Sequence, residues 1–84
     1  MMQPTTNPVS DAFGLSDADI LRRLGKLGYE VVVIGTESAN GKSWRTFRWI
    51  GHDIDAAKRD FGLYQWTGQR LYHRTSEEWA EVTP

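Results

Sequence analysis

The chain contains no cysteine. Disulfides, thiolate nucleophiles and cysteine-ligated zinc are therefore excluded. A secreted domain of this size is usually stapled by disulfides, so the expected compartment is the cytoplasm. Proline is confined to Pro4, Pro8 and Pro84. No apolar run is long enough to cross a bilayer, and no membrane partner is expected. Met1–Ser10 lacks both a charged and an apolar leader region, so no secretory leader is expected. Net charge is close to balanced, at −1 over 84 residues. A dedicated nucleic-acid binder is usually far more basic.

Aromatic residues, by contrast, are plentiful: four tryptophans, three tyrosines and three phenylalanines. Each buries a large area, which is how a chain this short carries a core. The expected organisation is a flexible polar arm over 1–12 followed by one small domain over 13–84.

The first helix is announced by its caps. Ser16 is the N-cap, Asp19 sits where a carboxylate can reach back to it, and Leu15 and Ile20 occupy the hydrophobic-staple positions. Ile20, Leu21, Leu24 and Leu27 form one stripe, and Gly28 ends the helix. Val31-Val32-Val33-Ile34 is a β-branched run, apolar on both faces, and reads as a central strand. A loop over Gly35–Lys42, turning at Asn40-Gly41, leads to a second strand over Ser43–Ile50. Asp53 caps a second helix through Asp60, with Ile54, Ala57 and Phe61 on one face and Gly62 closing it. Leu63–Thr67 and Arg70–Arg74 read as strands about a Gly68-Gln69 turn. Thr75 or Ser76 would cap a last helical turn through Trp79.

The fold class is therefore α+β, a small two-layer domain in α-β-β-α-β-β order. A mostly antiparallel four-stranded sheet carries two helices on one face. Asp17-Ala18-Asp19 with Gly28 resembles Asp53-Ile54-Asp55 with Gly62. Shared capping rules account for that likeness without a duplication.

In this reading Arg45, Phe47 and Trp49 share one side of the second strand, and Trp44, Thr46, Arg48 and Ile50 the other. With helices on one face only, large aromatics and an arginine are left on an open face. Tryptophan, tyrosine and arginine are the residues enriched at protein interface hot spots. The candidate partner-binding residues are Trp44, Arg45, Arg48, Trp49, Tyr64, Arg70, Tyr72 and Arg74.

The expected function is a non-enzymatic binding module, a small intracellular regulator or inhibitor acting by protein–protein contact through that face. The alternative is single-stranded nucleic acid or RNA on the same face. It draws on a basic middle, since residues 42–74 hold seven basic side chains against three acidic. Pairing of two copies through the sheet face or an edge strand is a related expectation. A small nuclease or hydrolase is a third reading, with Ser43, His52, His73 and Asp53 as its ingredients. Gly41-Lys42-Ser43 lacks the spacing of a phosphate-binding loop. No catalytic residue, cofactor or metal is expected.

Overall fold

The computed structural model describes residues 14–84, and the arm expected over 1–12 lies outside them. Helix α1 spans Asp17–Lys26. Ser16 Oγ accepts from the Asp19 N–H at 3.2 Å, while the Asp19 carboxylate accepts from the Ser16 N–H at 3.4 Å. The capping box read from the sequence is thus formed. At the other end the Tyr29 N–H donates to the Leu24 carbonyl and the Gly28 N–H to that of Gly25. This is a Schellman turn, and Gly28 supplies its left-handed residue at φ 93°. Leu27, expected in the core, is the C-cap residue beyond the stripe and is 72% exposed.

Strands β1 (Val31–Ala39) and β2 (Lys42–Gly51) form an antiparallel hairpin. Asn40 and Gly41 alone make the turn, with φ of 53° and 76°. Two left-handed residues give the turn whose twist matches that of the strands, so pairing continues right up to it. Most of the loop expected over Gly35–Lys42 is therefore strand.

Helix α2 runs from Ile54 to Leu63, passing through Gly62, and is capped by Asp53. Strand β3 is one element, Thr67–Arg74, and β4 is Trp79–Val82. Both correct the sequence reading. Ile34 pairs with Arg70 and Thr36 with Thr67, so three steps along β3 match two along β1. Gly68, at φ 60°, serves this bulge and the turn closed by the Gln69 N–H on the Trp66 carbonyl at 3.3 Å, not a hairpin between two strands. A single helical turn after Thr75 is too short to be stable alone. Trp79 instead pairs with Arg74 in β4 and packs against α1.

The α-β-β-α-β-β order and the four-stranded antiparallel sheet hold, with strand order β2-β1-β3-β4. The placement of both helices on one face does not. Ile20, Leu21 and Leu24 of α1 pack on Val32, Ile34 and Tyr72. Ala57 of α2, with Ile54 and Phe61, packs on Val31, Val33 and Leu71. Successive strand residues point to opposite sides, so a run buried at every position needs cover on both. One helix on each face supplies it. A duplicated unit with β1 antiparallel to β3 would place both helices on the same face; their opposite placement agrees with independent capping.

Candidate functional site

Strand β2 carries four of the eight candidate residues, and a bulge sorts them. Val33 pairs with Trp49 but Ile34 pairs with Phe47, which leaves Arg48 as an extra residue. Arg48 and Trp49 thereby fall on the same side of the sheet, over which α2 lies. Trp44 and Thr46 share that side by alternation, and Arg45, Phe47 and Ile50 share the α1 side. The sequence reading had placed Trp49 with Arg45 and Phe47, and Ile50 with Trp44. One inserted residue reverses both.

On the α1 side, Asp17 gathers two of the candidates. Arg45 donates to both of its carboxylate oxygens, from Nε at 2.8 Å and from Nη2 at 2.9 Å. The Tyr72 hydroxyl donates to Asp17 Oδ2 at 2.7 Å. Arg45 Nη1 donates further to Thr36 Oγ1 and to the Gly68 carbonyl. The hydrogen bonds from Arg45 hold the Asp17 carboxyl below the usual carboxylate range, against the opposing effect of burial. Burial first, and the bond to Asp17 second, push the Tyr72 phenol up. Arg74 donates from Nε to the Tyr29 carbonyl and lies over the Trp79 ring, 5.8 Å from its centroid. Arg70 stays exposed, 3.8 Å from Glu81.

On the α2 side, Arg48 is the hub. Its side chain is almost buried, with Nη1 2.6 Å from Asp60 Oδ2 and Nη2 donating to Gln69 Oε1 at 3.0 Å. The approach to Asp60 is close, but its angle is too poor for a hydrogen bond, and Arg48 Nε has no hydrogen-bond partner. The interaction is a largely buried ion pair rather than a bidentate one. Gln69 Nε2 donates to the Phe61 and Tyr64 carbonyls, which tethers the end of α2. The guanidinium carbon of Arg48 lies 5.5 Å from the ring centroids of both Tyr64 and Trp66. A planar cation in contact with both rings restrains them.

The eight candidates therefore do not form one face. Arg45, Tyr72, Arg74 and Arg70 lie on the α1 side, and Trp44, Arg48, Trp49 and Tyr64 on the α2 side. Tyr64 is 56% exposed although its ring is held from beneath, and the neighbouring Leu63 is 74% exposed. An open groove of about 590 Å³ lies at the same end of α2, with Lys58, Phe61, Gln65 and Trp66 among its lining residues. Leu63 was missed because it reads as the start of a strand. Asp17 and Asp60 were missed as partners of the arginines, although each is a carboxylate on the apolar stripe of its helix, three residues from Ile20 or Ala57. That misplaced charge was the available signal.

The ingredients of a hydrolytic triad are not brought together. Ser43 and His52 stand at opposite ends of β2, nine residues and therefore roughly 30 Å apart. Asp53 spends its carboxylate on the Asp55 and Ala56 N–H groups. His52 lies on the surface beside Glu30, at 3.2 Å, and stacks on Tyr29. Among the described residues no cluster of histidine and carboxylate side chains could hold a metal ion. None of the described helices is long and apolar enough to cross a membrane. No protein-family model, curated protein or solved structure matches the chain.

Proposed function

We propose that this chain is a non-enzymatic binding module, a small regulator or inhibitor whose partner is a protein. The contact surface is the end of α2, which carries Leu63, Tyr64 and the Phe61–Trp66 groove. The observation that carries the reading is the exposure of Tyr64 while its ring rests on the Arg48 guanidinium. An aromatic already held in one position loses little entropy when a partner covers it. Leu63 adds apolar area at the same end of α2, and Lys58 and Gln65 add polar groups to the groove.

A protein is favoured over nucleic acid by the state of the arginines. Arg45 and Arg48 are neutralised within the molecule by Asp17 and Asp60. Phosphate binding would have to break those pairs. The test compares the wild-type chain with Leu63→Asp and Tyr64→Ala as immobilised baits, each variant matched to wild type by circular dichroism. A partner retained by wild type and lost from both variants supports the reading. Saturable quenching of tryptophan fluorescence by single-stranded DNA or RNA, fading between roughly 50 and 200 mM salt, would replace it with the nucleic-acid reading.

A further inference from the structure

Strand β2 is the long edge of the sheet. It has ten residues and pairs with β1 alone among the described strands. The opposite edge, β4, has four residues. Natural edges are kept from pairing by shortness, proline, bulges, or charges that point outward. Apart from its bulge at Arg48 and the exposed Lys42 at its first position, β2 carries none of these. Lys42–Phe47 pairs with β1 without a break. It contains no proline, and its one arginine, Arg45, is turned onto Asp17. Phe47 is 46% exposed on the same stretch.

From these features we infer that β2 pairs antiparallel with β2 of a second copy of this chain, joining two four-stranded sheets into one of eight strands. The charge pattern singles out a second copy. Each arginine of β2 is neutralised by its own protomer, and the chain carries a net charge of only −1, so two such edges approach without strong repulsion.

Opposed residues of an antiparallel pair share a face, so a twofold through the regular stretch centres on a residue. Centring on Arg45 sets two guanidinium groups opposite each other, which is unfavourable. Centring on Trp44 sets the two indoles opposite each other, Lys42 opposite Thr46, and Phe47 opposite Gly41, where no side chain competes for space. Aromatic pairs directly across two strands are among the stabilising ones. The Trp44 register is the one assigned. This interface is separate from the Leu63–Tyr64 surface and stands or falls without it.

The test is sedimentation equilibrium and hydrogen exchange on the wild-type chain, with cysteine cross-linking on variants. The expected mass rises with concentration from 9.6 kDa towards twice that value. Amides within Lys42–Phe47 gain protection over the same range. The chain has no cysteine of its own, so Trp44→Cys reports the axis directly. Opposed Cβ atoms about 4.5–5.5 Å apart, with modest adjustment, close a disulfide. Thr46→Cys places its thiols four residues apart, roughly 13 Å, and stays unlinked. A monomer at every concentration, or a dimer without concentration-dependent protection in β2, overturns the proposal. So does a folded Trp44→Cys dimer that fails to cross-link where Thr46→Cys succeeds.

Discussion

Trp66 packs directly against Gly35. A Cβ built on Gly35 would stand 2.6 Å from Trp66 Cε3 and 2.9 Å from Trp66 Cβ. The glycine in the middle of β1 is therefore a seat for an indole, and the seat sets the height of the Tyr64–Arg48–Trp66 stack above the sheet. A comparable notch lies on the other face, where a Cβ on Gly25 would meet Trp79 Nε1 at 3.2 Å.

Gly35→Ala should destabilise the domain by about 2 kcal/mol, because the new methyl meets ring and backbone-proximal atoms that cannot both retreat. The midpoint of urea denaturation measures it. In a Trp66→Ala background the same substitution should cost far less. Equal costs in the two backgrounds would show that Trp66 is not what excludes a side chain at Gly35.

Glycine inside a helix costs about 1 kcal/mol relative to alanine. Gly25→Ala should recover that amount once Trp79 is replaced by Leu, which clears the notch. With Trp79 in place the gain should shrink or reverse, because the indole must give way. Thermal denaturation of the two single variants and the double variant reads the coupling.

Arg48 and Asp60 are worth little as a pair but much to each other. Asp60→Ala leaves a guanidinium buried beside two rings with no counter-charge, and should cost roughly 3–5 kcal/mol. Arg48→Met combined with Asp60→Leu should recover most of that loss. Should the double variant be no more stable than Asp60→Ala, the pair would owe its effect to something other than desolvated charge.

Asp17 gives the fold an acid limit. Its carboxyl titrates lower in the folded chain than the ordinary 3.8, chiefly through the hydrogen bonds from Arg45. A carboxylate with a depressed folded value contributes its full stability above its unfolded value and loses it as pH falls through the folded one. The wild-type domain should thus lose stability below about pH 4. Asp17→Asn should be less stable by about 2 kcal/mol at neutral pH and show a shallower loss in acid. Denaturation midpoints between pH 7 and pH 2.5 compare the slopes.

Local signals in the sequence carried much of the fold. Ser16 with Asp19, and Asp53, mark the two helix starts, because caps depend on side chains within three residues of the backbone they satisfy. The run Val31–Ile34 marks the central strand, because β-branched residues in a row suit only a buried pleat. Those residues also determined, taken at face value, that both sides of the sheet need cover. What the sequence did not show was longer in range. The bulge at Arg48 depends on how β2 lies against β1, and it alone decides that Trp49 shares a side with Trp44 rather than with Arg45. The docking of Trp79 at Gly25 decides that the last element is a strand. Gln69 ties α2 to Arg48 across eight residues of chain.

The candidate surface divides the same way. That this chain has more tryptophan, tyrosine and arginine than one core face needs is a property of composition, and was legible at once. Which of them face outward was decided only when Asp17 and Asp60 drew Arg45 and Arg48 inward from opposite sides of the sheet. A carboxylate finds its guanidinium through tertiary packing, 28 residues away in the first case and 12 in the second. Charge attracts through space rather than along the chain, so the sequence set the number of arginines and the fold chose which ones to use up.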